Sequence, residues 1–191
     1  MPGANTSPIL IVISAPSGAG KTTLCSRILE KHQSKVVLSI SSTTRKPRGQ
    51  EKDGKEYFFV TPEQFEKGIR EHRYVEWAKV HDHYYGTSKD VIEKALSDGK
   101  SVLLDIDVQG AASLRKLYKD RCFCVFIAPP SIDDLEKRLR KRATDPEHVI
   151  QSKMKTAHEE MLCSRDFDAI IVNDDLQAAQ AELLSILEGR L

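Results

Sequence analysis

Residues 8–24 read PILIVISAPSGAGKTTL, an apolar run followed by a glycine-rich loop that ends in Lys21 and Thr22. The run predicts a buried strand, and a helical hydrophobic period begins at Lys21. A strand, a glycine-rich loop and a helix in this order are typical of a phosphate-binding loop (P-loop), because the loop amides and the helix N-terminus offer partial positive charge to a polyphosphate. Ala15 replaces the first glycine of the G-x-x-x-x-G-K-[ST] pattern, at a position that needs only to allow a tight approach. We expect Lys21 to reach the β- and γ-phosphates and the Thr22 hydroxyl to bind Mg²⁺.

The rest of the chain alternates apolar runs with helical patterns, which predicts an α/β fold. The runs are apolar on both sides of the pleat, so we expect a parallel sheet that helices cover on both faces. The predicted strands are 8–15, 36–40, 101–107, 122–128 and 169–173, and the predicted helices are 21–32, 89–97, 108–118, 131–142, 146–165 and 176–187. From about Ser41 to Gly86 the pattern changes to short aromatic and β-branched pieces with one helix over 62–71, which predicts a small, mostly β insertion.

The composition is that of an ordinary globular protein, with 191 residues, 40% hydrophobic and 30% charged. Its 29 Lys and Arg against 28 Asp and Glu give a net charge of +1, which argues against a general nucleic-acid or membrane coat. The longest apolar run, Pro8–Ala15, is too short to span a bilayer, and no Lys or Arg precedes Lys21 as a secretory signal would require. We therefore expect a cytoplasmic protein without membrane partners.

The four cysteines have neither zinc-site spacing nor a C-x-x-C redox pair, so they imply no metal. Cys122 and Cys124 alternate within one apolar strand, and their side chains should share one face of it. Free thiols buried in a reducing compartment are the simplest interpretation.

Two basic segments are further candidates for phosphate contacts. Residues 41–48 read SSTTRKPR, in which Arg45 and Arg48 lie beside four hydroxyl side chains. Guanidinium groups match phosphate oxygens bidentately. On composition alone, a solvated basic loop is the alternative interpretation. Arg138 and Arg142 are four residues apart and share a helix face, which is either an exposed surface or a mobile arm that brings charge to a transferring phosphoryl group. The P-loop favours the phosphate interpretation, because a transfer enzyme needs an acceptor site as well as a donor site.

Two carboxylates end the strand that contains LLDID. Asp105 and Asp107 point to one face by strand alternation, and a carboxylate at the C-terminal end of a strand beside a P-loop is a common partner of a Mg²⁺ site. Helix capping or a bond to an arginine is the alternative role.

These segments together resemble the guanylate kinase family. The resemblance runs from about Ile9 to the last helix, and it rests on several motifs in one order. The motifs are SAPSGAGKTTL, SISSTTRKPRGQEKDGKEYFFV, VEWAKVHDHYYGTS, LLDIDVQGA, FIAPPSIDDLEKRLRKR and IIVNDD.

The resemblance implies a P-loop core of parallel sheet and helices with a small mixed β insertion that binds GMP and a helical lid. The core would comprise residues 1–40, 88–137 and 154–191, the insertion 41–87 and the lid 138–153. The implied reaction transfers the γ-phosphoryl group of ATP to GMP, and to dGMP, giving ADP and GDP in purine nucleotide metabolism. ATP and GMP are then the small-molecule partners and Mg²⁺ the cofactor, while the sequence leaves monomer and homo-oligomer open.

The site residues also follow from the resemblance. The implied ATP-binding residues are Ala15, Pro16, Ser17, Gly18, Ala19, Gly20, Lys21, Thr22, Thr23, Arg138, Arg142 and Asn173, the last beside the adenine. The GMP phosphate would contact Ser41, Arg45, Arg48, Tyr57 and Tyr85, and the guanine would contact Glu76 and Thr87 with Asp107 nearby. The implied catalytic residues are Lys21, Arg45, Arg48, Arg138 and Arg142. Thr22 would bind Mg²⁺, and Asp105 would support Arg48 or the water shell of the metal.

Two positions depart from the family pattern. Thr87 stands where some members carry Ser, which keeps the hydroxyl. Lys153 stands where many members place a third lid arginine, and because Lys is a point charge and not a bidentate fork, the role of this position is open.

Glu76 suits guanine on physical grounds. Guanine presents N1–H and its N2 amino group on one edge, two donors for two carboxylate oxygens, whereas adenine would leave a desolvated carboxylate unpaired. Without the motifs, the alternative interpretation of Glu76 is an exposed strand carboxylate beside Trp77.

The implied transfer needs no general base, because a phosphate monoester with a second pKa near ~6 is already largely an oxyanion at pH 7.

Other functions remain as alternatives. Another P-loop kinase would act on AMP, a pyrimidine nucleotide or a sugar, and Glu76 with Thr87 argues against it. Guanylate-kinase-like scaffold modules bind phosphorylated peptides but typically lose the phosphate loop, which is intact here at Lys21 and Thr22. Nucleic-acid binding through the basic run near Arg138 is poorly supported by a net charge of +1.

Overall fold

Strands and helices alternate along most of the chain in the computed structural model, which describes residues 7–80, 82–142 and 145–191. The strands are β1 (Leu10–Ser14), β2 (Val36–Leu38), β3 (Ser42–Thr43), β4 (Phe58–Phe59), β5 (Tyr74–Val80), β6 (His83–Ser88), β7 (Ser101–Asp105), β8 (Cys122–Ala128) and β9 (Ala169–Val172). The helices are α1 (Lys21–Lys31), α2 (Pro62–Arg70), α3 (Lys89–Ser97), α4 (Val108–Tyr118), α5 (Ile132–Arg142), α6 (Glu147–Cys163) and α7 (Leu176–Glu188).

A five-stranded parallel sheet forms the core, in the order β2-β7-β1-β8-β9. Alternate side chains of β1 point to opposite faces, as strand geometry requires. Ile11 and Ile13 join a cluster with buried residues of α1, α5, α6 and α7, and Leu10 and Val12 join a second cluster with α3 and α4. Helices thus cover both faces, and the predicted α/β fold is confirmed.

The predicted core elements agree with the structure to within about two residues at each end, and two of the strands end two residues earlier than predicted. Strand β2 ends at Leu38 and not at residue 40, because the chain leaves the sheet there for the insertion; the Ser39 N–H still donates to the Leu103 carbonyl at 2.8 Å. Strand β7 ends at Asp105 and not at residue 107, because Asp107 is the N-cap of α4 and its Oδ1 accepts the Gly110 N–H at 2.8 Å.

The side chains of Cys122 and Cys124 share one face of β8, as strand alternation predicts. Both thiols are buried, with their Sγ atoms 3.6 Å apart. They pack in the same cluster as Leu10 and Val12, so they serve as small core residues.

The predicted β insertion is a second sheet of four short strands in the order β4-β3-β6-β5. Strand β3 is parallel to β4 and antiparallel to β6, so the sheet is mixed. Helix α2 begins with a capping box, in which Thr61 and Gln64 accept each other's backbone N–H. Its Phe65 is fully buried and stacks on Tyr74 and Tyr84, with ring centroids 4.3 and 5.1 Å apart, which holds α2 on the sheet.

The segment 138–153, expected to be a lid, consists of the end of α5 and the beginning of α6, and its residues 143 and 144 lie outside the described residues. Arg140 bonds both Glu136 on its own helix and Glu147 on α6, and thereby links the two helices. Among the described residues, no helix combines the length and the apolar character needed to cross a membrane.

Candidate active site

A cleft of about 430 Å³ opens between the C-terminal ends of the core strands and the small sheet. One side of the cleft belongs to the core and contains the P-loop, the C-terminal end of β7 and the N-terminal end of α4. The opposite side belongs to the insertion. Helices α5 and α6 form a third side. The lining residues that the sequence predicted are Ala15, Pro16, Ser17, Gly18, Gly20, Lys21, Thr22, Thr23, Ser41, Tyr57, Glu76, Tyr85, Asp105, Asp107 and Arg142.

The P-loop runs from the end of β1 to the first residue of α1. Gly18 and Gly20 have φ values of 100° and 97°, a left-handed conformation that glycine adopts without strain. Gly20 has a second constraint, since a Cβ there would lie 2.3 Å from Nδ2 of Asn173. Asn173 is buried and its amide donates to the Ala19 carbonyl at 2.7 Å. The structure therefore places Asn173 against the loop backbone, where it supports the loop and does not line the cleft.

Lys21 and Asp105 form an ion pair inside the cleft, with Nζ 2.6 Å from Oδ1. Burial lowers the pKa of Lys21, but the charge and hydrogen bond of Asp105 outweigh this, and the pKa is raised above its usual value. Lys21 is therefore cationic at neutral pH. A polyphosphate that reaches Lys21 would compete with Asp105 for its ammonium group.

Glu76 and Thr87 are paired residues of β5 and β6. Thr87 is fully buried, and its hydroxyl donates to Oε1 of Glu76. Glu76 is 9% exposed and lines the cleft. Burial raises the pKa of Glu76 to about 7, with a contribution from the charge of Asp107, although the Thr87 hydrogen bond opposes the rise. Helix α4 approaches closely, since a Cβ on Gly110 would lie 3.0 Å from Oε2 of Glu76. The packing holds the carboxylate in one place.

The predicted arginines occupy different environments. Arg142 lines the cleft, and Arg138 donates from Nη2 to the Asn173 carbonyl at 2.9 Å beside the P-loop. Arg45 is buried, with its guanidinium 5.3 Å from the ring centre of Tyr57, which is a lining residue. Arg48 is exposed. Of the predicted site residues, Ala19, Arg45, Arg48, Thr87, Arg138 and Asn173 do not line the cleft in this conformation.

One face of α6 also lines the cleft through Lys153, Thr156 and Glu160. Lys153 was a candidate from the sequence and the other two residues were not, although the spacing of three and four residues places all three on one helix face. Lys153 is held by Asp145, with 2.7 Å between Nζ and Oδ2. Burial raises the pKa of Glu160 to about 7, an effect that the charge of Lys21 opposes.

Comparison with known proteins identifies the family. A sequence model of the family described as guanylate kinase matches residues 7–190. The chain belongs to the guanylate kinase family. A guanylate kinase from Caldanaerobacter subterraneus subsp. tengcongensis is 44% identical over 179 residues, which cover 94% of this chain and 86% of the relative. A guanylate kinase from Hydrogenovibrio crunogenus is 49% identical over 177 residues, which cover 93% of this chain and 85% of the relative.

A solved structure shows the same fold. The crystal structure of guanylate kinase from Anaplasma phagocytophilum superposes with a TM-score of 0.77 at 29% identity, covering 97% of this chain and 88% of that chain. The resemblance drawn from the sequence motifs is therefore confirmed, as is the fold class of a P-loop sheet flanked by helices with a small mixed sheet.

Proposed function

We propose that this chain transfers the γ-phosphoryl group of ATP to GMP, and to dGMP, in the cleft described above, giving ADP and GDP. Transfer from ATP to GMP is the reaction of the family to which the chain belongs. The observation that carries the site assignment is that one cleft joins a P-loop to the buried carboxylate of Glu76. The P-loop suits the phosphates of the donor, and the carboxylate suits the base of the acceptor.

Glu76 reads the base in this proposal. Its two oxygens accept the N1–H and the N2 amino group of guanine, while Thr87 holds Oε1 in position from behind. Each carboxylate oxygen has more than one acceptor direction, so the Thr87 bond leaves room for the base. Adenine offers no such pair of donors and would leave a desolvated carboxylate unpaired.

The transfer step rests on position and charge, because the acceptor phosphate is already an oxyanion with a second pKa near ~6. Lys21 and Arg142 line the cleft and neutralise the transferring group. Ser41, Tyr57 and Tyr85 hold the acceptor phosphate. Arg45, Arg48 and Arg138 act as further catalytic residues when the insertion (41–87) and the lid (138–153) close onto the core (1–40, 88–137 and 154–191). Asn173 belongs to the core beside the P-loop, and the adenine binds next to it.

Mg²⁺ fits the donor atoms of the cleft. Within the part of the chain that the structure describes, no group of three or more His, Cys, Asp or Glu could hold a metal ion. Mg²⁺ needs no such cage, since it keeps several waters and binds one or two protein oxygens together with substrate phosphates. The Thr22 hydroxyl would hold it directly and Asp105 through water, and when bound it neutralises charge on the β- and γ-phosphates.

A cytoplasmic location is part of the proposal. The buried thiols of Cys122 and Cys124, 3.6 Å apart, suit a compartment that keeps thiols reduced.

A coupled assay tests the proposed function, with ADP release from ATP measured for GMP, dGMP, AMP, CMP and UMP. We expect turnover with GMP and dGMP and little with the others. Preferred turnover of AMP or a pyrimidine nucleotide would indicate another P-loop kinase. An absence of ADP release with every acceptor would favour a binding module.

The affinity for the base should depend on pH, because Glu76 must be ionised to accept two donors. Its pKa of about 7 means that the ionised fraction falls about tenfold between pH 8 and pH 6. Guanosine is the probe, since it lacks the phosphate that titrates near ~6. We expect its inhibition constant against GMP to rise about tenfold from pH 8 to pH 6, and to vary little with pH in Glu76→Gln. A flat wild-type profile would show that ionisation of Glu76 does not control base binding.

A further inference from the structure

Glu51 is a carboxylate outside the cleft, and its hydrogen bonds within the described residues are all to Arg45 and Arg48 of the loop that follows β3. Its Oε2 lies 2.9 Å from Nη1 of Arg45 and its Oε1 lies 3.0 Å from Nη2, so the two side chains form a two-pronged pair. The same Oε2 accepts the backbone N–H of Arg48 at 2.8 Å. One carboxylate therefore holds the side chain of the first arginine and the backbone of the second.

These contacts also determine which part of Arg45 is left for other acceptors. Glu51 uses one N–H of Nη1 and one of Nη2, and the Lys46 carbonyl accepts from Nη1 at 2.7 Å. A guanidinium has five N–H groups in a rigid fork. These two acceptors leave the Nε–H and the second N–H of Nη2, which are parallel on one edge, as two oxygens of one phosphate require. Arg45 also forms a side-chain hydrogen bond with Tyr85, a residue that lines the cleft.

The guanidinium of Arg45 lies beside the lining of the cleft, which includes Tyr57 and Tyr85. The guanidinium of Arg45 lies 5.3 Å from the ring centre of Tyr57 and 5.9 Å from that of Phe59. A hydrogen bond from Arg45 is the main reason that the pKa of Glu51 lies below its usual value. Because Glu51 is ionised and its side chain is 23% exposed, it can hold Arg45 without leaving water entirely.

We propose that Glu51 is a positioning residue for the acceptor phosphate site, which presents the parallel N–H pair of Arg45 and fixes the loop that carries Arg48. The proposal rests on the proposed function in one respect, namely that the acceptor is a phosphate monoester held by Arg45. Glu51 itself does not touch the substrate.

Glu51→Gln tests the proposal, because it keeps the shape of the side chain and removes its charge. An amide has one acceptor oxygen and places an NH₂ donor beside the second nitrogen of Arg45, so it cannot reproduce the two-pronged pair. Losing charge-assisted hydrogen bonds costs about 1.5–3 kcal/mol, which corresponds to a rise of roughly 10- to 150-fold in KM for GMP. We expect KM for ATP and the inhibition constant of guanosine, which lacks the phosphate, to stay within about threefold of wild type.

The control is Glu56→Gln in the same loop. Glu56 is exposed and accepts one backbone N–H, from Lys52 at 2.7 Å, so the same substitution removes a comparable local charge away from Arg45. Its kinetic constants should stay within about twofold of wild type. A double-mutant cycle with Arg45→Ala adds a second criterion, since Glu51→Gln should raise KM for GMP much less in that background.

The possible results separate the two proposals. Wild-type turnover of GMP tests the function alone, before any variant is made. If Glu51→Gln weakens the binding of guanosine and of GMP equally, Glu51 has only a structural role. If KM for GMP is unchanged or lower, Glu51 does not orient Arg45. Either result overturns the positioning role. If Glu51→Gln does not fold, Glu51→Asp replaces it, because the shorter carboxylate keeps the charge and should raise KM for GMP with guanosine binding retained.

Discussion

Lys21→Ala is expected to lower kcat by about 10³-fold or more while the protein stays folded. Removing one preorganised donor from a developing charge commonly costs about 10²–10³-fold in rate, and Lys21 supplies a full positive charge that no loop amide can replace. The residue lies at the beginning of α1 and its side chain is 22% exposed, so its removal opens no cavity in the core. The carboxylate of Asp105, 34% exposed, can be hydrated when its partner is lost.

Steady-state kinetics and thermal unfolding together test this expectation. Lys31→Ala is the matched control, because Lys31 lies on the same helix and forms an exposed pair with Glu188. Both variants should unfold within about 4 °C of wild type, since a loss of about 1 kcal/mol shifts Tm by roughly 2–4 °C in a protein of this size. Only Lys21→Ala should lose activity. A Lys21→Ala enzyme within about tenfold of wild type would contradict the assignment of the P-loop to phosphoryl transfer.

Glu76→Gln is expected to lower kcat/KM for GMP by roughly 10- to 150-fold, the equivalent of a charge-assisted hydrogen bond worth about 1.5–3 kcal/mol. The new amide group places a donor against a donor of guanine. Selectivity over AMP should shrink, because the site no longer demands two donors from the base. KM for ATP should hardly change, since the P-loop lies on the other side of the transferred group.

Stability should move in the opposite direction to activity. Burial raises the pKa of Glu76 above its value in the unfolded chain, so ionising it in the folded protein costs free energy at pH values above about 7. Glu76→Gln removes this cost, and the variant should be at least as stable as wild type at pH 8. Glu66→Gln, an exposed position on α2, is the control for both measurements. If kcat/KM for GMP in Glu76→Gln stays within about threefold of wild type and AMP is still rejected, another residue recognises the base.

The P-loop illustrates what local sequence can establish. Within residues 8–24 the strand, the loop and the helix are adjacent in the chain, so their geometry follows from backbone conformations of a few neighbouring residues. The positive φ of Gly18 and Gly20 is the conformation that such a loop requires. The remaining core elements were predictable for a similar reason, because the hydrophobic periods of strands and helices are properties of short segments.

The placement of Arg45 and Asn173 shows where local sequence was insufficient. The family resemblance places both residues at the nucleotides. In the structure, however, Arg45 forms a two-pronged pair with Glu51, and Asn173 donates to the Ala19 carbonyl. Neither the hydrophobic periodicity nor the motifs of the sequence indicated these two partners. Their contacts depend on how the loop after β3 folds back and on how β9 ends beside the P-loop.

The sequence by itself determined the α/β class, the P-loop and, through its motifs, the membership of a family of nucleotide kinases. Tertiary structure decided which side chains share the cleft. Glu76 comes from an antiparallel pair of the insertion, Asp105 from a core strand and Glu160 from α6, three segments far apart in the chain. The raised pKa of Glu76, to about 7, is a property of that assembly, because desolvation depends on every element packed around a carboxylate and not on its neighbours in sequence.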